Sequence, residues 1–296
     1  MRETFFKLHL SILIAGFTGI FGKLISLNEG LLVWYRLMLT CLLFFLLLLA
    51  TKKLQRISFR DFKRIAVVGC LLTVHWIFFY GSIKASNVSI GVVCFSLIGF
   101  FTAILEPIIL RRRFSLREFA YSILTLLGIL LIFSFDTRYR TGILLGVISS
   151  ALAALFTIST KRIGNDYKPR TILMYEMLGG FLLISCILPF YLKLFPVESV
   201  VPGTMDIIYL ILFVVFCTIG LQMLQIQVLK KISAFTVNLS YNLEPVYSIV
   251  LAMIIFGEAK QLNFSFYIGV GLIVLSVLLQ TWSAFRKKEM VTIEGN

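Results

Sequence analysis

The segment from Ile226 to Phe256 reads IQVLKKISAFTVNLSYNLEPVYSIVLAMIIF, and the interpretation of the whole chain starts from it. It is mostly apolar, yet Glu244 and Pro245 follow each other near its middle. A carboxylate and a proline are costly inside an apolar segment unless they line a protected cavity. Polar residues recur through the stretch at helical spacing, which places them on one face of a helix. These residues are Asn238, Tyr241, Asn242 and Ser248.

A similar pattern occurs 146 positions earlier in the chain and aligns without a gap. Ser96 matches Asn242 in this alignment. The repeat extends to the front of each half at a slightly different offset, where Arg36 matches Glu176. An internal repeat in a strongly apolar chain is typical of membrane transporters whose binding site lies between the two halves.

The composition predicts a protein that crosses the membrane many times. The chain of 296 residues is 59% hydrophobic, against about 45–50% in soluble domains, and the excess is spread along its whole length. The net charge is +14, but the basic residues form short clusters between apolar runs, as topology signals and contacts with anionic lipid do. We therefore expect no nucleic-acid partner. The five cysteines fall inside apolar runs without a CxxC pair, so we interpret them as packing residues.

Ten segments are long and apolar enough to span a bilayer, which takes about 20 mainly apolar residues. They are Leu8–Ser26, Leu31–Ala50, Ile65–Lys84, Val88–Leu110, Leu116–Phe135, Gly142–Lys161, Thr171–Leu192, Ile207–Leu229, Ser233–Phe256 and Phe264–Ala284. The predicted fold class is therefore an all-α integral membrane protein with ten transmembrane helices. Residues 1–138 would form a first five-helix repeat, residues 139–288 a second one, and residues 289–296 a cytoplasmic tail.

The distribution of lysine and arginine predicts how the segments are oriented. With the amino terminus in the cytoplasm, the inside loops hold 21 basic residues and the outside loops hold 6. Both termini are therefore predicted to be cytoplasmic. Because each half has five segments, an odd number, the second half must enter the membrane inverted. Matching loops agree, since Thr51–Arg64 carries six basic residues and its counterpart after the seventh segment carries only Lys193.

Three motifs in these segments resemble the EamA-type family of the drug/metabolite transporter superfamily. They are WYR at 34–36, HWIFFYGSIK at 75–84, and NLEP at 242–245 followed by FGE at 256–258. The resemblance covers nearly the whole chain, and it implies two inverted halves of five helices. It also implies that the protein moves small metabolites, often amino acids and commonly outward, across the inner (plasma) membrane.

The first half departs from the family pattern at two positions. Gly99 stands where the proline of the second half stands, and Arg112 stands where the acid of the Gly-Glu ending would be. Glu258 therefore has no counterpart at the cytoplasmic side, which argues against symmetric gating by two acids. A second Glu-Pro pair begins at Glu106, close to the arginines at 111–113, and we interpret Glu106 as an interfacial charge.

Candidate solute-binding residues lie near the middle of the third, fourth, eighth and ninth segments. The third segment carries an imidazole and aromatic rings, and the matching positions of the eighth carry two amides. Rings suit an apolar group and amides suit a polar head, so a small amphipathic solute is expected. The alternative is that the histidine and the glutamines only hydrogen-bond neighbouring helices. The predicted set is His75, Trp76, Phe79, Tyr80, Ser96, Gln222, Gln225, Asn238, Tyr241, Asn242 and Glu244.

Glu244 is the strongest single candidate, because it lies near mid-depth beside Pro245, whose ring frees backbone carbonyl groups. A desolvated carboxylate can take up a proton near physiological pH, and a structural hydrogen bond to a neighbour is the alternative. Arg36 and Glu176 occupy matching places in the two halves, near opposite membrane faces. We predict that each braces a gate on its own side, with a plain interfacial anchor as the alternative.

These observations predict a secondary carrier that exports small amphipathic metabolites such as amino acids by alternating access. The alternative is a proton-coupled multidrug exporter, but the first and sixth segments have no acid for such a mechanism. A membrane enzyme or lipid-handling protein would need converging acids or histidines, and the chain has only His9 and His75. No nucleotide-binding or catalytic motif occurs, so we predict no catalytic residue, metal or cofactor. The expected partners are the solute and the lipid bilayer, and a monomer and a homodimer both fit the sequence.

Overall fold

A computed structural model of the protein describes residues 2–111, 113–135, 139–276 and 278–279. In these ranges every regular element is a helix, and no strand is present. In chain order the elements are α1 (Arg2–Ala15), α2 (Thr18–Leu24), α3 (Glu29–Ala50), α4 (Phe59–Ala85), α5 (Val88–Phe95), α6 (Ile98–Leu110), α7 (Leu116–Phe135), α8 (Arg140–Ile163), α9 (Pro169–Leu194), α10 (Thr204–Val214), a π-helix (Val215–Gly220), α11 (Leu221–Leu229), α12 (Ala234–Tyr241), α13 (Glu244–Phe256), a 3₁₀ helix (Glu258–Gln261) and α14 (Phe264–Ser276).

Eight helical stretches in the described residues are long and apolar enough to cross a membrane. They correspond to the predicted segments one to four and six to nine. The predicted fifth and tenth segments correspond to α7 and α14, whose described apolar parts, Ser122–Leu131 and Phe264–Ser276, reach only 10–17 residues. The all-helical fold is therefore confirmed, while the count of ten spans stays a prediction. The predicted tail at 289–296 lies outside the described residues, and so do residues 277 and 280–284 of the tenth segment.

Asparagine and serine side chains fix where several helices begin. Asn28, Ser58, Asn87 and Ser233 have extended backbone, and the side chain of each accepts a hydrogen bond from the backbone N–H three residues further on. Each thereby pairs one of the N–H groups that a helix leaves without a partner in its first turn. This pairing matters in a membrane, because the hydrocarbon core offers no water to bond an exposed N–H group.

Helices α4 and α9 approach each other backbone to backbone. A Cβ atom added to Gly69 would lie 1.9 Å from the carbonyl oxygen of Glu176, and one added to Gly179 would lie 2.4 Å from the Cα atom of Ala66. Only glycine leaves room for such a contact, as in other close helix pairs of membrane proteins. The contact holds Glu176 on the buried side of α9, where its surface is fully covered.

The fourth and ninth predicted segments are each broken near the middle. Residues 96–97 separate α5 from α6, and residues 242–243 separate α12 from α13. The two breaks are 146 positions apart, so they occur at matching places of the repeat. Pro245 lies in the first turn of α13, where its missing N–H costs no helical hydrogen bond. The break does not depend on proline, because the first half makes the same break with Gly99 at the matching position.

Glu258 is a buried carboxylate that caps the start of α5. It accepts hydrogen bonds from the backbone N–H groups of Val88 at 3.0 Å and Ser89 at 2.9 Å, and from the Ser89 hydroxyl at 2.6 Å. It also pairs with the Lys23 ammonium at 2.8 Å. Burial by itself raises the pKa of the Glu258 carboxyl, but the bonds from Lys23, Ser89 and Val88 outweigh burial and lower this pKa below its ordinary value.

Glu106 caps the start of α12 in the same way. Its carboxylate accepts a hydrogen bond from the backbone N–H of Phe235 at 2.7 Å, and only 3% of the residue is exposed. The interpretation of Glu106 as an interfacial charge is therefore wrong. Phe235 matches Ser89 in the repeat, so Glu106 is the counterpart of Glu258 that the alignment lacked. The alignment misses it because the two acids stand six positions out of register.

We predict that Gly69→Ala destabilises the detergent-solubilised protein, because the new methyl group overlaps the Glu176 carbonyl. Overpacking costs about 1–3 kcal/mol, or roughly 2–4 °C of melting temperature per kcal/mol. Gly81→Ala on the same helix is the control, because a Cβ there meets only Leu145 at 3.5 Å and Glu29 at 3.9 Å. Equal melting temperatures for the two variants would contradict the close contact of α4 with α9.

We also predict that Glu258→Gln lowers the melting temperature at neutral pH, because charge-assisted hydrogen bonds contribute about 1.5–3 kcal/mol each. The pKa of this carboxyl is lower in the folded protein than its ordinary value of 4.5. The carboxylate therefore contributes its full share to the free energy of unfolding above pH 4.5, and this contribution is lost as the pH falls through the lowered pKa. The difference between wild type and variant should therefore shrink in acid. Glu3→Gln, whose ion pair with Lys7 is 69% exposed on the acid side, serves as the surface control.

Candidate functional site

A small cavity lies between the two halves of the chain, close to the helix breaks. Its volume is about 60 Å³, which is room for a few water molecules. The lining contains residues of α1 to α6 from the first half of the chain and residues of α8, the π-helix, α11, α12 and α13 from the second half. A cavity enclosed by so many elements is shaped by their relative positions, so any shift between the halves changes its volume.

Most of the residues predicted from the sequence meet in this cavity. The rings come from α4, the amides come from α11 and α12, and the carboxylate comes from the start of α13. The predicted residues that line the cavity are Arg36, His75, Trp76, Phe79, Tyr80, Gln222, Gln225, Asn238, Tyr241 and Glu244. The predicted residues that do not line it are Ser96, Glu176 and Asn242.

Arg36 is buried in the cavity wall, with 1% of its surface exposed. Its guanidinium donates hydrogen bonds to the Thr218 hydroxyl at 2.8 Å, the Tyr80 hydroxyl at 2.6 Å and the Cys217 carbonyl at 2.9 Å. All three acceptors are uncharged. The structure thus places Arg36, which the sequence analysis predicts to be a gate residue, among the groups that surround the cavity.

Two aromatic rings enclose the guanidinium of Arg36. Its central carbon lies 3.5 Å from the ring centre of Trp76 and 4.2 Å from that of Phe213. The faces of such rings carry partial negative charge, so they stabilise a cation that has left water. Phe213 belongs to the second half of the chain, and sequence reasoning gave no signal for it, because one phenylalanine in an apolar run resembles any other.

His75 lies in a cluster of rings on the first-half side of the cavity. Its Nδ1 atom is 3.0 Å from the carbonyl oxygen of Ser149 and 2.8 Å from the hydroxyl of the same residue. A carbonyl oxygen can only accept, so in this arrangement Nδ1 carries the hydrogen and Nε2 is left as an acceptor. The imidazole centre lies 5.9 Å from the ring of Phe79 and 5.5 Å from that of Phe95.

Glu244 is the first residue of α13 and has 3% of its surface exposed. Glu244 lines the cavity together with Thr18, and the start of a helix favours negative charge. No described basic residue, Arg36 included, forms an ion pair with it, so the guanidinium and this carboxylate are more than 4.0 Å apart. One small cavity therefore holds a guanidinium and a carboxyl group that do not form an ion pair with each other.

Two amide oxygens at the cavity have no hydrogen-bond donor in the described part of the chain. They are Oε1 of Gln222 and Oδ1 of Asn238. For Asn238 the orientation of the amide follows from its neighbour, because the Thr102 hydroxyl donates to Ile98 at 2.6 Å and must accept from Nδ2 of Asn238 at 2.8 Å. A buried acceptor without a donor is uncommon and calls for a partner that the protein does not supply.

The three predicted residues outside the cavity lie nearby. Ser96 and Asn242 lie at the two helix breaks. The Ser96 hydroxyl and the side-chain amide oxygen Oδ1 of Asn242 have no hydrogen-bond partner in the described residues. Glu176 accepts a hydrogen bond from the Thr160 hydroxyl at 3.0 Å through one carboxylate oxygen, while the other oxygen has none. None of these three residues is part of the cavity lining.

Several residues that sequence reasoning did not single out also line the cavity. They are Thr18 of α2, Phe95 of α5, and Phe156 and Thr157 of α8. Threonine and phenylalanine occur throughout such helices, so only their position in the folded chain distinguishes them. In the described ranges no three residues among His, Cys, Asp and Glu come together where they could hold a metal ion.

Comparison with known proteins identifies the chain at the level of its family. The profile of the EamA-like transporter family matches it twice, over residues 5–134 and 140–282. No curated protein is similar enough to match. A crystal structure of another protein superposes with a TM-score of 0.70 and 16% identity, covering 96% of this chain and 98% of the other, so the likeness concerns the fold. Since the family match spans nearly the whole chain, the protein belongs to the EamA-like transporter family and is a multi-pass membrane protein.

Proposed function

We propose that this protein is a secondary transporter that moves small amphipathic metabolites, with amino acids as the leading candidates, outward across the inner (plasma) membrane. The observation that carries the proposal is the cavity between the two repeats, where α4 contributes rings and α11 contributes amides. Rings hold an apolar group and amides hold a polar head. Membership in a family of transporters supports this class over a membrane enzyme.

Contacts of two repeat-related lysines support an inverted arrangement of the halves. Lys84, at the end of α4, donates to the carbonyl of Ile25 at 3.2 Å. Lys230, 146 positions later, donates to the carbonyl of Tyr167 at 3.0 Å. The Tyr167 hydroxyl also contacts Arg64 near the start of α4, so the two lysine contacts lie at opposite ends of that helix. Equivalent contacts at opposite ends are what an inverted repeat produces.

The orientation that we propose combines this arrangement with the distribution of basic residues. The end of the bundle that holds Tyr167 carries most lysine and arginine, and it faces the cytoplasm together with both termini. Residues 1–138 and 139–288 are then two inverted repeats of five helices each, with α7 and α14 as the fifth and tenth spans. The chain works in this form as a monomer or a homodimer.

The small cavity must widen during the proposed transport cycle. A volume of about 60 Å³ admits water but requires widening before a metabolite can enter. Glu258 accepts a hydrogen bond from the backbone at one end of the fourth segment. Glu106 lies at the other end of that segment and accepts a hydrogen bond from the backbone of α12. Alternating access then follows if one of these two contacts loosens while the other holds, so that the cavity opens to one side at a time.

Glu244 is the proposed site of proton coupling, since it is the acid that lines the cavity in the described residues. The second candidate function is a proton-coupled multidrug exporter, which would use the same acid. Such an exporter needs a wide apolar chamber, whereas this cavity is small and holds amides as well as a guanidinium. The lining therefore favours a polar metabolite over a lipophilic cation.

The experiment that tests the proposal is uptake of a pool of labelled amino acids and common lipophilic cations into proteoliposomes, with and without an acidic lumen. The proposal expects amino acids to move. Movement of lipophilic cations alone would replace it with multidrug export, and movement of no solute by folded, reconstituted protein would overturn the carrier assignment.

We predict that Glu244→Gln removes the effect of the pH gradient on uptake while leaving exchange without a gradient measurable, because an amide cannot take up a proton. Glu198→Gln, in the exposed loop before α10, is the matched control and should respond to the gradient as wild type does. If amino acids move and neither the gradient nor Glu244→Gln changes the rate, the protein is a facilitator and Glu244 has a structural role.

A further inference from the structure

The guanidinium of Arg36 leaves part of its hydrogen-bonding capacity unused. Arginine has five N–H donors, and Arg36 spends three of them on Thr218, Tyr80 and Cys217. No described residue accepts from the other two, and no carboxylate neutralises the guanidinium by contact. A planar guanidinium with two donors to spare matches a carboxylate better than any other small group.

Two amide oxygens that line the same cavity have the complementary need for donors. Oδ1 of Asn238 and Oε1 of Gln222 are buried acceptors that nothing in the described chain satisfies. Asn238 is 1% exposed and Gln222 is 4% exposed, and both line the cavity together with the carboxylate of Glu244. Two amide oxygens and a carboxyl group around the same space can accept from an ammonium group, which has three N–H donors.

We propose that the cavity recognises a zwitterionic head group, with Arg36 binding the carboxylate of the solute and Asn238 and Gln222 accepting hydrogen bonds from its ammonium group. Glu244 balances the positive charge of that ammonium. The inference rests on the proposed function and narrows its substrate to α-amino acids with both charged groups free. The rings of Phe79 and Phe95 beside His75 then favour an apolar side chain.

Solutes that carry a single charge fit this cavity less well than a zwitterion. A simple anion would pair with Arg36 but would leave the two amide oxygens without donors and would face the charge of Glu244. A lipophilic cation would pair with Glu244 but would meet the guanidinium of Arg36 across the same small space. Only a solute with both charges satisfies the spare donors of Arg36 and also the amide acceptors of Asn238 and Gln222.

Competition for uptake of labelled L-leucine into proteoliposomes tests the head-group recognition in the wild-type protein. The competitors are unlabelled leucine, leucinamide, which lacks the carboxylate, and 4-methylpentanoate, which lacks the ammonium group. Since a charge-assisted bidentate pair contributes about tenfold or more in affinity, both analogues should compete at least about tenfold more weakly than leucine. Equal competition by leucinamide and leucine would overturn the assignment of Arg36, whatever the variants show.

Two variants assign the two ends of the head group. Arg36→Gln should remove the preference for leucine over leucinamide, and Thr40→Val on the same buried face of α3 is the control that should retain it. Asn238→Leu should remove the preference for leucine over 4-methylpentanoate, and Ser240→Ala on α12, outside the cavity, is its control. A purely structural role of Arg36 would lower uptake without changing the ratio between competitors.

A binding measurement separates failure of this inference from failure of the proposed function. The rise in melting temperature of detergent-solubilised wild type is recorded with leucine, leucinamide and 4-methylpentanoate. Stabilisation by leucine alone, without uptake in proteoliposomes, would support the zwitterion site and overturn the carrier assignment. Uptake of leucine with equal stabilisation by all three compounds would keep the carrier and overturn the zwitterion site.

Discussion

A guanidinium that leaves water must find partners inside the protein, because the desolvation of an ion costs several kcal/mol that only good contacts offset. Arg36 finds them in the Tyr80 hydroxyl of α4 and in the Thr218 hydroxyl and Cys217 carbonyl of the π-helix. A π-helix shifts its backbone bonding pattern locally, and such segments occur often at functional sites. These contacts tie α3 and α4 to the second half of the chain. They thereby fix which residues of α4 face the cavity.

The broken helices impose a second constraint of the same kind. Each break creates helix ends whose backbone N–H groups have no water to bond within a membrane. Glu258 of the second half caps α5 of the first, and Glu106 of the first half caps α12 of the second. The halves are thus joined at both ends of the bundle by carboxylates bound to backbone. The bonds that complete the fold are also the bonds that a movement between the halves must exchange.

Two of the buried polar atoms that the described residues leave without a partner line the cavity. Folded proteins pair nearly all buried polar groups, and exceptions concentrate where a ligand completes the bonding. Asn238 and Gln222 supply such acceptors, and Arg36 supplies unused donors. Under the proposed recognition, a zwitterion supplies an acceptor to Arg36 and donors to the two amide oxygens, so structural cost and selectivity have the same origin.

From the sequence one can predict the membrane class and the repeat that brings α4 rings and α11 amides to one cavity. Apolar length and helical period are local properties, so a sequence can carry them. Only the tertiary structure decided that Arg36 lines the cavity, that Glu106 is a buried cap, and that Asn242 lies off the cavity. These outcomes depend on how each helix is rotated about its axis at a break, and that rotation is set by packing against distant helices.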